Sequence, residues 1–196
     1  MSILRYATFN PEHKSDAPPS DISFRLAKIE DCEAIASLLY ATNSDTTLDE
    51  YIQRTQREIE KYNTSEDIYR VFVSCLNNDI IGYCRFFHSA LIPKEKKIHR
   101  TPEGLYLMGI IVRDDMRGKG VADFMSRKRL DYLQNLGIHE VYSAVASQNI
   151  ASHSMHMSFG FTAIKYNIQG FHSITFPCGS GTLYKKAISQ YKNRGK

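Results

Sequence analysis

The order of apolar and polar residues along this chain predicts a mixed α/β fold, in which helices pack on one central sheet. Short apolar runs typical of strands alternate with longer segments whose apolar residues recur every three or four positions. Clusters of Asn, Asp, Gly and Pro separate these segments. In chain order they predict strand, two helices, three strands, helix, strand, helix and two strands, or about seven strands and about four helices.

The first predicted elements follow a polar segment, residues 1–20, that contains three prolines. We interpret this segment as an N-terminal arm and not as a second domain. Apolar and polar residues then alternate over residues 22–26, which indicates a half-buried strand. Helical spacing follows at 31–40 and 48–62, and the polar run 43–47 suits the start of the second helix.

A β-hairpin is predicted next, because Asn77-Asn78-Asp79 separates apolar runs at 68–76 and 80–87. Residues 92–101 are basic and contain a proline, as an exposed loop would. Residues 105–112 are almost continuously apolar, which is typical of a strand covered on both faces.

The remaining elements alternate in the same way. They are a helix capped by Gly137, a strand, a further helix and two strands, at residues 121–136, 141–146, 149–159, 161–168 and 181–188. These patterns predict one folded domain over residues 21–190.

Composition limits the classes of function. The 196 residues are 42% hydrophobic and carry a net charge of +4, which is too small to predict a nucleic-acid partner. No apolar run approaches the roughly 20 residues of a membrane span or resembles a signal peptide, so no membrane partner is expected. The four cysteines are scattered, which favours a reducing compartment. The expected location is the cytoplasm.

The segment from Arg117 to Ala122, Arg-Gly-Lys-Gly-Val-Ala, joins an apolar strand to a helix. The unpaired N–H groups and the dipole of a helix start favour an anion, and Gly118 and Gly120 would let it approach. Arg117 and Lys119 add positive charge. The segment predicts a pyrophosphate cradle, although glycines that merely permit the turn would give the same pattern. It fits neither the P-loop nor the dinucleotide fingerprint, so another nucleotide-bearing ligand is expected.

Two motifs stand at a defined spacing in this chain. Residues 117–122 fit the pattern R/Q-x-x-G-x-G/A and follow an apolar strand. Asn149-Ile150-Ala151-Ser152, with Phe159-Gly160-Phe161 after it, fits N-x-x-A/S followed by a terminal Gly-Phe. With the element order over residues 22–188, they resemble the GNAT superfamily of acetyl-CoA-dependent N-acetyltransferases. The resemblance implies the GNAT fold, with the central sheet splayed at the cofactor site.

The resemblance also implies acetyl-CoA as co-substrate and no metal. The backbone of Ile110, Ile111 and Val112 would bond the pantetheine arm. Asn149 and Ser152 would lie on the cofactor side, with Asn149 bonded to the distal arm of the cofactor. The N–H groups that would hold the pyrophosphate belong to Arg117, Gly118, Lys119, Gly120, Val121 and Ala122.

The implied reaction is direct attack of a neutral amine on the thioester. It needs a base, an N–H donor to the oxyanion, from Val112 or a neighbour, and a proton donor to the thiolate, but no cysteine nucleophile. His156 stands where many family members carry a tyrosine that protonates the thiolate; packing within the helix is the alternative. Glu103 and Tyr106 are candidate bases, or alternatively surface and packing residues. His153 shares a helical face with His156, but neither H-E-x-x-H nor a third metal ligand is present.

The acceptor is expected to be the amine of a small molecule. The segment after Asn149 and the run Gly109–Ala122 are similar to those of aminoglycoside 6′-N-acetyltransferases, which makes an aminoglycoside the sharpest candidate. Those enzymes have an acidic residue where this chain has Met108, so a carboxylate partner for a cationic sugar is missing. A protein or peptide acceptor and a non-catalytic acyl-CoA sensor stay open as alternatives. The resemblance also allows a homodimer.

Overall fold

The computed structural model describes residues 6, 16–43, 45–62 and 69–188, so most of the predicted arm lies outside the described residues. The four helices within these ranges are α1 Cys32–Thr42, α2 Leu48–Tyr62, α3 Val121–Asn135 and α4 Ile150–Ser158. The strands are β1 Ser23–Leu26, β2 Tyr69–Leu76, β3 Asp79–His88, β4 Leu105–Val112, β5 Glu140–Ala146, β6 Thr162–Ile168, β7 Gly170–Phe171, β8 Ile174–Thr175 and β9 Gly181–Ala187.

Seven of these strands form one mixed sheet in the order β1-β2-β3-β4-β5-β9-β6. The β1–β2, β2–β3, β5–β9 and β6–β9 pairs are antiparallel. The β4–β5 pair is parallel, with Tyr106 opposite Tyr142. The described residues therefore confirm the predicted mixed α/β fold, its order of elements, its seven-stranded sheet and its four helices. The splay of the sheet stays a prediction.

The predicted hairpin between β2 and β3 is confirmed down to its turn. Asn77 and Asn78 have φ angles of 50° and 71°. A two-residue turn with both φ angles positive matches the right-handed twist of the flanking strands, and asparagine tolerates this conformation better than most residues.

Two features between 88 and 176 were not predicted. Strands β7 and β8 form a short hairpin of their own, outside the seven-stranded sheet. The predicted exposed loop 92–101 is tied to that hairpin, because the His99 N–H donates to the His172 carbonyl over 2.9 Å. Strands of two residues are too short to show an alternating pattern, so sequence periodicity could not reveal them.

The chain contacts divide into two compact units. The first comprises residues 1–87 and 108–126, and its buried side chains include Ile35, Phe72, Phe86 and Met125. The second comprises residues 88–107 and 127–196, and its buried side chains include Tyr106, Leu133 and Leu183. Strand β4 and helix α3 each begin in one unit and continue into the other. The predicted single domain over 21–190 stays a prediction.

Helices in the described part of the chain fall short of the length and hydropathy needed to cross a membrane. The four cysteines are free thiols; Cys32, Cys75 and Cys84 are buried and Cys178 is half-buried.

Candidate active site

Strand β4 is irregular in its middle. Leu105 to Leu107 and Val112 are buried, but Met108, Ile110 and Ile111 are half-buried and Gly109 is exposed. Gly109 has a φ of 33°, and no other atom lies within 4 Å of the place where a Cβ would stand. The expectation of a strand covered on both faces is therefore wrong over residues 108–111. These residues include Ile110 and Ile111, which are predicted to bond the pantetheine arm.

The predicted cradle lies between β4 and α3, in the first unit. A short 3-10 turn, Asp114–Met116, follows β4, and α3 begins at Val121. Gly118 and Gly120 have φ angles of 76° and 66°. These left-handed conformations suit glycine. The glycines thus bend the chain so that it enters a helix of 15 residues, whose first N–H groups suit an anion.

The two cations of the cradle differ in their attachment. Arg117 donates from Nε to the Val112 carbonyl over 3.3 Å and pairs with Asp114 over 2.9 Å. It therefore braces the turn as well as adding charge. Lys119 is exposed. The turn thus offers one braced cation and one exposed lysine.

The second motif forms the start of α4, in the second unit. Asn149 is the N-cap residue, and its side-chain oxygen accepts from the Ser152 N–H over 3.1 Å. This bond satisfies one of the helix's unpaired N–H groups, so it explains Asn149 without a ligand. The predicted contact of Asn149 with the cofactor stays a prediction.

His156 is 6% exposed and hydrogen-bonded on both sides of its ring. Nδ1 lies 2.7 Å from the Ser152 carbonyl oxygen and Nε2 lies 2.8 Å from the Ser143 hydroxyl. Because a carbonyl only accepts, Nδ1 carries the proton, and Ser143 donates to Nε2. Burial lowers the pKa of His156 to about 4; the Ser152 carbonyl opposes this change, and nearby Arg129 adds to it. The ring is therefore neutral at pH 7.

His153, on the same helix as His156, is hydrogen-bonded to different partners. Nδ1 lies 2.8 Å from the Tyr184 hydroxyl and Nε2 lies 3.1 Å from the Ala146 carbonyl oxygen. By the same reasoning Nε2–H donates to the carbonyl and Tyr184 donates to Nδ1. Both ring nitrogens of each histidine therefore have protein partners. No group of three possible metal ligands occurs among the described residues.

The two candidate bases lie near the start of β4 in the second unit. The carboxylate of Glu103 accepts from Lys97 over 2.7 Å and from Ser89 over 2.9 Å. These two bonds hold the pKa of Glu103 below its usual value, so it is ionised but weakly basic. Burial raises the pKa of Tyr106 to about 12, and its hydroxyl donates to the Pro102 carbonyl over 2.8 Å. Tyr106 is thus a protonated phenol at neutral pH.

His172 is a buried histidine beside Tyr106 whose setting the sequence did not reveal. It is 1% exposed, and its ring meets that of Tyr106 edge-on, with 4.8 Å between the ring centres. Among the described residues neither ring nitrogen has a hydrogen-bond partner within bonding distance and angle, although the nearby Pro102 carbonyl favours the protonated ring. Burial lowers its pKa, and Lys97 adds to this effect while Glu103 opposes it. Nothing in the surrounding segment "GFHSIT" marked this histidine, because its setting depends on contacts distant in sequence.

The structure groups the predicted residues by unit. The cradle, Ile110, Ile111 and Val112 belong to the first unit, whereas Asn149, Ser152, His156, Glu103 and Tyr106 belong to the second. Within the second unit, the Ser143 hydroxyl lies between α4 and β4. It donates its one proton to His156 Nε2 over 2.8 Å, and the Leu107 carbonyl oxygen is 3.5 Å away.

A mixed sheet whose fourth strand enters a glycine turn at a helix start defines a class of α/β protein suited to bind a phosphate-bearing ligand. A match to a protein-family model identifies the particular family within this class. Residues 33–161 match the acetyltransferase (GNAT) family, and the chain belongs to this family. It is therefore an acetyltransferase of the kind that uses acetyl-CoA.

Solved structures share the fold. An N-acetyltransferase from Staphylococcus aureus Mu50 is 18% identical with a TM-score of 0.63, over 87% of this chain and 100% of that one. An acetyltransferase from Salmonella typhimurium with its cofactor acetyl-CoA is 20% identical with a TM-score of 0.61, over 88% and 97%. The PaiA N-acetyltransferase from Thermoplasma acidophilum in complex with coenzyme A is 16% identical with a TM-score of 0.59, over 85% and 98%.

No curated protein matches the chain. The similarity to aminoglycoside 6′-N-acetyltransferases therefore stays a prediction from the residues.

Proposed function

We propose that this protein transfers the acetyl group of acetyl-CoA to the amine of a small molecule, by direct attack of the amine on the thioester. The glycine cradle carries the proposal. Gly118 and Gly120 adopt left-handed conformations at the start of α3, with Arg117 bracing the turn and Lys119 exposed beside it. This arrangement suits the pyrophosphate of acetyl-CoA, and the uncovered middle of β4 suits its pantetheine arm.

A groove on the first unit, broadly open to solvent and about 440 Å³ in volume, is the acceptor surface that we propose. Its lining residues are Asp45, Thr46, Glu50, Gln53, Arg54 and Arg57. Two carboxylates and two guanidinium groups match an amine that also carries a carboxylate. A polycationic aminoglycoside would find partners for one sign of charge only, so an amino-acid-like acceptor fits this lining better.

His156 and Ser143 offer a route for the proton. In the neutral ring the Nε2 lone pair faces the Ser143 hydroxyl. A ring with a pKa of about 4 is as weak a base as Glu103, so it would act only after the amine has attacked and its nitrogen has become positively charged. The Ser143 oxygen would then take the proton from that nitrogen as its own proton passes to Nε2. The imidazolium so formed is strongly acidic, because the pKa of His156 is about 4. It would return the proton through Ser143 to the departing thiolate, which leaves both residues as they began.

The test of the function is thiol release from acetyl-CoA with a panel of amines: amino acids, polyamines, aminoglycosides and peptides. Turnover is expected with a small amine that also carries a carboxylate. Turnover with peptides alone would favour the protein acetyltransferase, and acetyl-CoA binding without turnover would favour the sensor. Absence of acetyl-CoA binding would overturn the proposal.

The proton route has its own test. His156→Phe and Ser143→Ala are each expected to lower kcat by about 100-fold, within the usual range for general acid–base catalysis, with acetyl-CoA binding nearly unchanged. If the two residues act as one relay, the double variant should lose little more than either single variant. Additive losses, or full activity with an unchanged pH–rate profile, would remove the relay.

A further inference from the structure

The N-terminal arm contacts the cradle directly. The Asp16 N–H donates to the Gly118 carbonyl over 3.1 Å. A Cβ on Gly120 would collide with the Asp16 carbonyl oxygen and would lie 2.9 Å from the Pro18 nitrogen. Gly120 is buried although Gly118 is exposed. The backbone of residues 16–18 therefore fills the space that the missing side chain of Gly120 leaves open.

That space is the one through which a phosphate would approach the turn. Glycine at this position lets a ligand come close to the backbone, and in this chain the arm comes close instead. We propose that residues Asp16 to Pro18, the strap, are autoinhibitory: the strap and the pyrophosphate of acetyl-CoA occupy the cradle in turn. This proposal rests on the proposed function, because it takes the cradle to be the pyrophosphate site.

The strap is also well placed to compete. Strand β1 begins at Ser23 and pairs with β2, which keeps the strap near the cradle at a high effective concentration. Pro18 and Pro19 restrict the backbone, so the chain loses less entropy when the strap docks. The apparent Kd for CoA then equals the intrinsic value divided by the fraction of molecules whose strap has left.

Deletion of the strap is the first test, with CoA as the probe in calorimetric titration. Removal of residues 1–19 is expected to tighten CoA binding about tenfold, which corresponds to a strap that is docked in about nine molecules of ten. Removal of residues 1–15 keeps Asp16 to Pro18 and is the matched control, with a Kd close to that of the full chain. Equal Kd values for the full chain and for the chain without residues 1–19 would overturn the proposal, as would full tightening in the control.

A pair of point substitutions tests the contact without shortening the chain. Asp16→Pro removes the N–H that donates to Gly118, whereas Asp16→Ala keeps it. Loss of one hydrogen bond weakens docking about fivefold, which raises the open fraction from about one molecule in ten to about four in ten. Asp16→Pro is therefore expected to tighten CoA binding about fourfold, and Asp16→Ala should stay near the parent. If the shortened chain does not fold, the comparison of Asp16→Pro with Asp16→Ala tests the proposal by itself. Equal Kd values for the two variants would overturn it.

Hydrogen exchange follows the strap itself. In the full chain the Asp16 amide should exchange slowly without CoA and faster with saturating CoA, whereas the Asn43 amide, bonded to Leu39 at the end of α1, should not change. An Asp16 amide that stays equally protected at saturating CoA would contradict the strap alone. If CoA binds neither to the full chain nor to any variant, the proposed function is wrong, and the proposal of an autoinhibitory strap is wrong with it.

Discussion

The cradle of the first unit and the buried histidine of α4 in the second unit hold their geometry in different ways. The backbone conformation sets the geometry of the cradle, since Gly118 and Gly120 have positive φ angles and the nearby Lys119 is exposed. Hydrogen bonds to the buried side chain set the position of the His156 ring. The cradle should therefore respond to any added side chain and little to pH. His156 should respond to protonation.

The stability of the fold should show the largest effect of this difference. His156 has a pKa of about 4 when folded and 6.5 ordinarily, so the unfolded chain binds the proton first as pH falls. Stability due to the neutral ring is complete above pH 6.5 and is lost between pH 6.5 and about 4, by about 3 kcal/mol. Urea denaturation across this range should show a steeper decline for the parent than for His156→Phe. Parallel declines would contradict the pKa.

The second largest effect is expected from an added Cβ in the cradle. Gly120→Ala places a Cβ at a φ of 66°, against the strap or, in its place, against the pyrophosphate. In the chain without residues 1–19 we expect CoA affinity to fall about tenfold, whereas in the full chain the loss of the docked strap offsets this fall. The strained backbone should cost about 1–2 kcal/mol of stability in either chain. Gly179→Ala is the matched control, because its φ is 74° but nothing lies within 4 Å of its Cβ.

The control should lose a similar amount of stability and no CoA affinity. Making both substitutions in the chain without residues 1–19 removes the strap from the comparison. Calorimetric titration and thermal melting measure the two quantities. Equal CoA affinity of the two variants would mean that the space at Gly120 does not serve the cofactor.

Removing a charge from the cradle should change CoA affinity less than adding a Cβ does. Arg117→Ala removes a cation and its bond to the Val112 carbonyl, so CoA affinity should fall about fivefold, and the part of this loss due to the missing bond should persist in about 0.5 M salt. Lys119→Ala removes an exposed charge alone, and its loss, about threefold, should shrink in 0.5 M salt. CoA titrations at two ionic strengths measure both. Identical salt dependence of the two variants would argue against the bracing role of Arg117.

The smallest effect is expected outside both regions. Glu103 is a weak base that is already bonded to Lys97 and Ser89, so Glu103→Gln should change kcat by less than about threefold. The pH dependence of kcat/KM measures its role. A tenfold loss with a displaced basic limb would instead identify Glu103 as the base.

The sequence predicted the parts that local patterns encode. Element order follows from periodicity, and the cradle from glycines at the junction of a strand and a helix. The strap, the β7–β8 hairpin and the orphan ring of His172 depend on residues far apart in the chain. The hydrogen bond of His156 Nε2 joins it to Ser143, 13 residues earlier and on another element. No single-sequence pattern carries such pairings.

The division of the chain into units also bears on its synthesis. The first unit needs residues 108–126 as well as 1–87, so β3 is made well before β4, the strand that later covers its edge. At roughly 5–20 residues per second, a ribosome takes about 2–8 seconds to add residues 88–126. During that interval the β2–β3 hairpin exposes an unpaired apolar edge. A chaperone that binds nascent chains would find its clearest target there.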